Sequence, residues 1–426
     1  MDKFIVTGGT PLKGKIGISG SKNSALPILA ATLLTPETCV IHRVPDLSDI
    51  RYMLEILRHL GAEVTFKDGT VTVKAEKIHA QTPYDLVRKM RASICVLGPL
   101  VARFGQAKIS LPGGCVIGDR PIDIHLRGIQ ALGAHVETEE GNVIVSTPAG
   151  GKLVGAEIPL GGKFGSTVLG TDNVMMAATA AEGVTVIDSA ACEPEVTDLA
   201  HFLISMGAKI TGHGTTRMEI TGTGALHGTE YTVIPDRIEA GTFAIAALIT
   251  GGDLLLEGID NAHLENVLHH LEKAGAVLEK GKDTLRVAAP GGVKSLKPLD
   301  IVTEVYPGFP TDMQAQFCAL LSLVPGNSVI TEKIFPNRYM HLPELKRMGA
   351  NVDLEGSTAI LRGVDHLSAA PVMASDLRAS AALVLAGLAA KGSTEVNRVY
   401  HIDRGYERID EKLRKVGAVI ERKAGS

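Results

Sequence analysis

Two kinds of hydrophobic pattern alternate along the chain. In segments such as DIRYMLEILRHL (49–60) and YERIDEKLRKV (406–416), apolar residues recur every three or four positions, which predicts amphipathic helices. In segments such as EVTFKDGTVTV (63–73) and HVETEEGNVIV (135–145), apolar and polar residues alternate on both sides of a short polar turn. That second pattern predicts β-hairpins.

One short phrase recurs six times. Its copies read HLGAEV, ALGAHV, SMGAKI, KAGAVL, RMGANV and KVGAVI, and successive copies lie 68 to 74 residues apart. Glycine readily adopts the left-handed conformation that ends a helix, and the β-branched residues after it favour a strand. Each copy therefore predicts the end of an amphipathic helix and the start of the next strand. A period of about seventy is too long for most solenoids, so each repeat should contain several elements.

Alanine-rich segments such as ALPILAATLLTPETCVIH (25–42) and SAALVLAGLAAKGSTEVN (380–397) predict a second helix and a strand earlier in the repeat. The full unit is then βαβαββ. Six units divide into two sets of three, and 426 residues exceed what one hydrophobic core normally supports. Because helices this apolar must be covered on most sides, we expect them inside each domain, with the sheets forming the outer wall.

Composition and charge exclude several classes of protein. Hydrophobic residues make up 45% and charged residues 21%, as in a globular chain, and the net charge of −4 gives no reason to expect nucleic acid or an anionic membrane as a partner. The longest apolar run, Ala25 to Leu34, is too short to span a bilayer. The first residues lack a secretory signal, so we expect a cytoplasmic protein. Five cysteines without a CxxC pair argue against a disulfide framework and a zinc site.

One cysteine stands apart from the others. Cys115 lies in LPGGCVIGDRP (111–121), behind two glycines, whereas a cysteine kept for packing normally lies among apolar residues. The two interpretations are a reactive thiol on a mobile loop and a cysteine in an ordinary turn. Gly113 and Gly114 would permit a hinge, so the first interpretation makes this segment a lid.

Cationic residues recur near the predicted starts of helices. Lys22 and Asn23 follow a Gly-Ser turn and precede an alanine-rich helix, where free N–H groups and a lysine are typical of an anion site, although a solvated lysine near a cap explains the pattern as well. Taken singly, arginines are usually solvated. Several here share a position in the repeat, which favours one cluster that binds a small polyanion such as a phosphorylated carboxylate. The five arginines from which these come are Arg91, Arg120, Arg338, Arg378 and Arg404.

Asp312 in FPTDMQAQF has two interpretations. It is either an N-cap, a position that aspartate fills well, or a general base near a substrate hydroxyl. Asp376 and Asp403 are explained equally well as caps or as functional carboxylates. The histidines of the 263–270 segment lack acidic companions, so we expect them to be solvated and predict no metal site there.

Six motifs together resemble those of the UDP-N-acetylglucosamine enolpyruvyl transferases, and the resemblance extends over nearly the whole chain. The motifs are SGSKNSALPI, LPGGC...RP, FPTDMQAQF, NRYMHLPEL, DLRASAALVLAG and HIDRGYERI. The resemblance implies an α/β protein of the inside-out α/β barrel kind, with two domains of three βαβαββ units each. The implied domains are 1–21 plus 230–426, which is discontinuous, and 22–229, which carries the Cys115 loop. The implied activity is transfer of the enolpyruvyl group of phosphoenolpyruvate to the 3-hydroxyl of UDP-N-acetylglucosamine, with release of phosphate. It is the first committed step of peptidoglycan synthesis and uses no metal or organic cofactor.

The resemblance also implies roles for individual residues. Cys115 would be the general acid that protonates the methylene carbon of the donor, and Asp312 would take the proton from the sugar hydroxyl. Lys22, Arg120 and Arg404 would hold the donor phosphate and carboxylate, with Arg338 and Arg378 nearby. The acceptor would be contacted by Asn23, Arg91, Arg120, Pro121, Ile122, Asp123, Ile124, Lys163, Thr167, Val168 and Ile334.

Three alternatives stay open at this point. An enolpyruvyl-shikimate phosphate synthase shares the repeats but not the loop cysteine. A transferase acting on another uridine nucleotide is kept open by GGKFGSTVLGTDNVMMAA (161–178), where the family commonly has Ser-Val-Gly-Ala-Thr and this chain has Thr167 and Val168. A catalytically silent sugar-nucleotide-binding paralogue would have no need of the acid Cys115 or the base Asp312. The pattern indicates no oligomeric state.

Overall fold

The computed structural model describes residues 2–82, 84–88, 90–111, 122–148 and 151–424, and it contains the predicted repeats. The glycine of every repeated phrase ends a helix in the left-handed region, with φ between 89° and 104°. Residues that carry a side chain rarely adopt this backbone conformation, which explains why glycine recurs at this point. These glycines are Gly61, Gly133, Gly207, Gly275, Gly349 and Gly417.

The chain forms two units. The first contains the residues up to Ser19 together with those from Pro235 onward, and the second lies between Gly20 and Ile234. Each unit has its own hydrophobic core. No helix of the described ranges is long and apolar enough to cross a membrane.

The helices are α1 (Lys22–Ala31), α2 (Ser48–His59), α3 (Tyr84–Val87), α4 (Leu97–Phe104), α5 (Asp123–Ala131), α6 (Val168–Ala178), α7 (Pro194–Ser205), α8 (Arg237–Ile249), α9 (Glu265–Lys273), α10 (Gln314–Leu321), α11 (Leu342–Arg347), α12 (Leu377–Ala389) and α13 (Ile409–Lys415). Short 3₁₀ helices add Thr32–Leu34, Arg91–Val96, Asn261–Leu264, Val293–Ser295, Thr311–Met313 and Val399–Arg404.

The strands are β1 (Lys3–Thr7), β2 (Lys13–Gly17), β3 (Thr38–His42), β4 (Glu63–Lys67), β5 (Thr70–Lys74), β6 (Gln106–Ser110), β7 (His135–Glu139), β8 (Asn142–Ser146), β9 (Glu157–Pro159), β10 (Gly161–Gly162), β11 (Gly165–Ser166), β12 (Val184–Asp188), β13 (Lys209–Thr211), β14 (Arg217–Thr221), β15 (Glu230–Thr232), β16 (Asp253–Glu257), β17 (Val277–Lys280), β18 (Thr284–Ala288), β19 (Asp300–Val302), β20 (Asn327–Thr331), β21 (Asn351–Glu355), β22 (Thr358–Arg362), β23 (Pro371–Met373), β24 (Ser393–Asn397) and β25 (Val419–Lys423).

Each repeat contributes one sheet. The first unit contains the strand orders β17-β18-β16-β2, β19-β20-β22-β21 and β23-β24-β1-β25, and the second contains β15-β3-β5-β4, β6-β8-β7 and β13-β14-β12-β9. In the four-stranded sheets one edge strand is parallel to its neighbour, and the remaining pairs are antiparallel. Strand β1 lies between β24 and β25, so the start of the chain completes the last repeat.

The alanine-rich helices form the interior. Every residue of α10 is buried, and almost every residue of α8, α12, α1 and α6 is. The strands alternate buried and more exposed residues, as β20 and β24 show, so one face of each sheet covers the helices. Helices inside and sheets outside confirm the predicted inside-out α/β barrel arrangement.

Candidate active site

Several of the described candidate residues lie where an inner helix begins. Backbone N–H groups at a helix N-terminus have no partner within the helix and carry partial positive charge, which suits an anionic ligand. Lys22 and Asn23 begin α1, and Arg91 begins the 3₁₀ helix that leads into α4. Thr167 caps α6, Asp312 lies in the 3₁₀ turn before α10, and Arg378 lies in the first turn of α12.

In the first unit, Asp312 lies between two guanidinium groups. Its Oδ1 accepts a hydrogen bond from Nη1 of Arg338 at 2.7 Å, and its Oδ2 accepts one from Nη2 of Arg378 at 2.9 Å. The N-cap interpretation is wrong, because the side chain makes no cap bond to the following helix. Burial acts to raise the pKa of Asp312, but Arg378 and Arg338 outweigh it and hold that pKa well below its ordinary value. The carboxyl group is therefore ionised at neutral pH.

Arg378 has hydrogen-bonding capacity left over. Only 3% of its side chain is exposed, and its guanidinium lies 5.4 Å from the ring centroid of Tyr406. Nε and Nη1 find no partner among the described residues. Buried donors normally have partners, so this guanidinium is suited to an anion that adds the missing acceptors.

The segment that carries Ile334 and Arg338 is held by a residue that the sequence did not point to. Glu332 is fully buried, and its Oε1 accepts hydrogen bonds from the backbone N–H groups of Ile334 and Phe335 at 2.8 and 2.9 Å. Its Oε2 accepts from the hydroxyl of Thr311 at 2.9 Å, and that hydroxyl accepts from Arg338 at 3.1 Å. Glu332 thus connects the candidate acceptor contact Ile334 to the Asp312 cluster.

Arg404 ends the 3₁₀ helix Val399–Arg404 and is half-buried. Burial lowers the pKa of nearby His401, and the charge of Arg404 lowers it further. Asp403 is paired with Arg422 at 2.6 and 2.9 Å, so its structural role is an ion pair. Asp376 is an N-cap as one interpretation predicted, since Oδ1 accepts from the N–H groups of Arg378 and Ala379.

In the second unit, Lys22 has an acidic neighbour. Its Nζ lies 3.5 Å from Oδ2 of Asp49, and the two side chains are 12% and 3% exposed. Ser21 caps the helix by accepting from the N–H of Ser24 at 3.4 Å. Asp49 is 27 positions away along the chain, so local spacing did not reveal it.

The predicted acceptor contacts of the second unit occupy four separate segments, of which Asn23 in α1 is the first along the chain. Arg91 is half-buried, Ile122 is 9% exposed, and Asp123 and Ile124 begin α5. Lys163 is exposed, with its Nζ 5.3 Å from the ring centroid of Phe164. The hydroxyl of Thr167 accepts from the N–H of Gly170 at 3.3 Å, and Val168 opens α6.

Cys115, Arg120 and Pro121 lie outside the described residues. The described cysteines are protonated thiols in structural positions: burial raises the pKa of Cys39, Cys95, Cys192 and Cys318. Within the described ranges, no three His, Cys, Asp or Glu side chains come together as a metal site would require. Arg237 is the first residue of α8, and its guanidinium lies 5.5 Å from the centroid of the Tyr306 ring. It occupies the same place in its repeat as Lys22, but the sequence analysis did not name it as a candidate.

Comparison with known families gives this arrangement its class. A family model for EPSP synthase (3-phosphoshikimate 1-carboxyvinyltransferase) matches residues 6–413, and the chain belongs to this family. The chain is 64% identical over 422 residues, 99% of each sequence, to the UDP-N-acetylglucosamine 1-carboxyvinyltransferase of Methylacidiphilum infernorum. It is 55% identical over 424 residues, again 99% of each, to the enzyme of that name from Akkermansia muciniphila. The resemblance inferred from the motifs is thereby confirmed.

Solved structures agree on the fold. The enolpyruvyl transferase NikO from Streptomyces tendae superimposes with a TM-score of 0.90 at 26% identity, covering 100% of this chain and 99% of that one. An EPSP synthase from Acinetobacter baumannii gives a TM-score of 0.76 at 19% identity, with full coverage of both chains, and shares the fold.

Proposed function

We propose that this protein transfers the enolpyruvyl group of phosphoenolpyruvate to the 3-hydroxyl of UDP-N-acetylglucosamine and releases phosphate, the first committed step of peptidoglycan synthesis. The full-length relatives that are 64% and 55% identical carry the name of this activity. The observation that carries the proposal within the structure is the ionised Asp312 between the buried guanidiniums of Arg338 and Arg378. One cluster thus offers a proton acceptor and anion-binding groups side by side.

The reaction is an addition followed by an elimination. The sugar oxygen bonds to the carbon that bears the phosphate, its proton passes to Asp312, and Cys115 gives a proton to the methylene carbon. Loss of a proton from the new methyl group restores the double bond as the carbon–oxygen bond to phosphate breaks. An ion-paired carboxylate is a weak base, but the negative donor beside Arg338 and Arg378 raises its proton affinity.

The remaining residues bind the two substrates. Lys22, Arg120 and Arg404 hold the donor phosphate and carboxylate, assisted by Arg338 and Arg378, and their positive charge stabilises the charge that develops. The acceptor is held by a second set of contacts. These contacts are Asn23, Arg91, Arg120 to Ile124, Lys163, Thr167, Val168 and Ile334.

The proposal extends to organisation and location. The functional domains are 1–21 with 230–426 and 22–229, with boundaries two to five residues from those of the two units, and the reaction takes place in the cytoplasm. In the proposed reaction Cys115 supplies the acid, Asp312 supplies the base, and the lysine and arginines supply the positive charge. The proposal therefore includes no metal or organic cofactor.

The test is phosphate release in the presence of each acceptor. We expect release to require phosphoenolpyruvate and UDP-N-acetylglucosamine together; better turnover with shikimate 3-phosphate or another uridine nucleotide would reject the acceptor. Cys115→Ala should abolish turnover without unfolding the protein, whereas Cys115→Asp should retain some, because a carboxylic acid also donates a proton. Full activity of Cys115→Ala would remove the thiol from the mechanism.

A further inference from the structure

Three segments that carry the proposed acceptor contacts meet at one buried side chain in the second unit. Asn173 is fully buried in α6, a few residues after Thr167 and Val168. Its amide bonds to Ile94 and Gly98, which follow Arg91 along the chain, and to His125, which directly follows Ile124. These partners lie 79, 75 and 48 positions away in sequence, so the fold alone brings them together.

The hydrogen bonds fix the orientation of the Asn173 amide. The carbonyl of Ile94 only accepts, and it lies 3.1 Å from Nδ2. The N–H of Gly98 only donates, and it lies 2.8 Å from Oδ1. Neither bond survives a flip of the amide. The second hydrogen of Nδ2 then points to Nδ1 of His125 at 3.0 Å.

This orientation also fixes the state of His125. Because Nδ1 accepts from the amide, it carries no proton, and the neutral ring is protonated at Nε2. Burial, assisted by the charge of Arg91, lowers the pKa of His125 to about 3, which agrees with a ring that stays neutral. His125 thus lies close enough to Arg91 for the charge of the guanidinium to act on it.

The backbone around Asn173 leaves no room for adjustment. A Cβ built on Gly98 would lie 2.3 Å from the carbonyl oxygen of Asn173, so glycine is required for α4 to approach α6 this closely. The backbone of Asn173 is therefore held by packing against α4, and its side-chain amide is held by three hydrogen bonds. A shift of any one of the three segments would break a bond to a fully buried polar group.

We propose that Asn173 is a positioning residue for acceptor binding, which sets Arg91, Asp123–Ile124 and Thr167–Val168 relative to one another. The proposal rests on the proposed function, since that function makes these segments the acceptor site. A core amide that only satisfied its own hydrogen bonds would connect arbitrary segments. Here each partner lies within seven positions of a proposed contact, and the contacts belong to three different elements.

The first experiment does not depend on activity. In Asn173→Ala, amide hydrogen exchange without ligand should accelerate together in 91–98, 122–131 and 163–173, because all three lose a shared anchor. The matched control is Thr179→Val, which removes a buried hydroxyl bond to the carbonyl of Met176 in the same helix. Equal acceleration in Thr179→Val, or acceleration confined to α6, would overturn the proposal.

The second experiment separates positioning from folding. We expect Asn173→Ala to raise the KM for UDP-N-acetylglucosamine by about tenfold or more, with kcat and the KM for phosphoenolpyruvate changed less than about threefold. Calorimetric titration with UDP-N-acetylglucosamine should give the same loss. An unchanged acceptor KM beside a lower melting temperature would assign the residue a structural role only.

A pair of isosteric substitutions sharpens the result. His125→Asn keeps an acceptor where Nδ1 lies, whereas His125→Leu has the same branched shape without one. Acceptor affinity should stay near the wild-type value in the first and fall about tenfold in the second. Equal affinities in the two variants would contradict the proposal. Failure of the wild-type protein to bind the sugar nucleotide would reject the proposed function, while the exchange experiment would still decide the role of Asn173.

Discussion

The two units cap their inner helices with different chemical groups. Each caps two of its inner helices with polar side chains. In the first unit these are carboxylates, since Asp236 caps α8 and Asp376 caps α12. In the second unit they are hydroxyls, since Ser21 caps α1 and Thr167 caps α6.

The buried polar centres differ in the same way. The first unit joins its elements through Asp312, Arg338 and Arg378, all of them charged. The second joins them through the neutral Asn173 and His125. Burying charges is costly unless they are paired, so the charged centre is sensitive to the loss of one member. A neutral centre has a smaller desolvation cost, which suits a role in holding geometry.

The charged centre should show the largest effect. Asp312→Asn removes the proton acceptor and leaves two guanidiniums without their counter-charge. We expect kcat to fall by roughly 10²–10⁴-fold, as for loss of a general base, and folding stability to fall by a few kcal/mol. Phosphate release and thermal melting measure the two effects.

A surface pair provides the control for that variant. Asp353 binds Arg362 at 2.6 Å, with side chains 54% and 42% exposed. Asp353→Asn should leave both the melting temperature and turnover close to the wild-type values, because an exposed ion pair contributes little to stability. A wild-type rate in Asp312→Asn, or a comparable loss in Asp353→Asn, would remove the distinction between the two carboxylates.

The next effect tests whether the first unit needs arginine geometry or only positive charge. Arg378→Lys keeps the charge but loses the planar donor group that reaches Asp312 and lies near the Tyr406 ring. We expect the KM for phosphoenolpyruvate to rise by about tenfold or more, with a smaller change for the acceptor. Arg362→Lys, at an exposed pair, should change neither. Retention of donor affinity in Arg378→Lys would mean that charge alone suffices.

Sequence predicted the features that depend on local pattern. The helix-ending glycines, the apolar inner helices and the hairpins follow from periodicity over a few residues, and all are present. The positions of Lys22, Arg91 and Arg378 at helix starts follow from the same pattern.

Contacts between segments that lie far apart along the chain could not be predicted from the sequence. Asp49 beside Lys22, Glu332 bonded to Thr311, and Asn173 bonded to His125 have no signature in local spacing. For Asp312 the sequence left the choice between cap and base even, because the deciding partners, Arg338 and Arg378, lie 26 and 66 positions away. The repeat did contain a signal for Arg237, since it occupies the same place before an alanine-rich helix as Lys22.

Acidification should lower the stability of the protein through the neutral His125 in the second unit. Unfolded His125 gains a proton below about pH 6.5, whereas the folded ring stays neutral down to about 3. Between these values the unfolded state binds more protons, so stability falls as the pH falls, by up to about 1.4 kcal/mol per pH unit. Asp312 behaves differently: its lowered pKa stabilises the fold above about pH 4, and that contribution is lost only at lower pH.

Melting temperatures between about pH 7 and pH 5 test this difference. His125→Asn should flatten the acid dependence relative to the wild type. His135→Asn, on the surface beside Glu137, is the control and should keep the wild-type slope. If His125→Asn also kept that slope, the ring would not be held neutral by the fold.

The smallest expected effect distinguishes two roles of Thr167, that of a helix cap and that of a contact to the acceptor. Thr167→Ala removes the hydroxyl that accepts from Gly170 and should cost about 1 kcal/mol of stability. Thr167→Ser keeps the hydroxyl and should restore most of it. Acceptor affinity provides the second measurement: if Thr167 also contacts the sugar nucleotide, the alanine variant binds it several-fold more weakly and the serine variant does not. A stability loss without any loss of affinity would assign Thr167 to the cap alone, and the second unit would then hold its acceptor through its other proposed contacts.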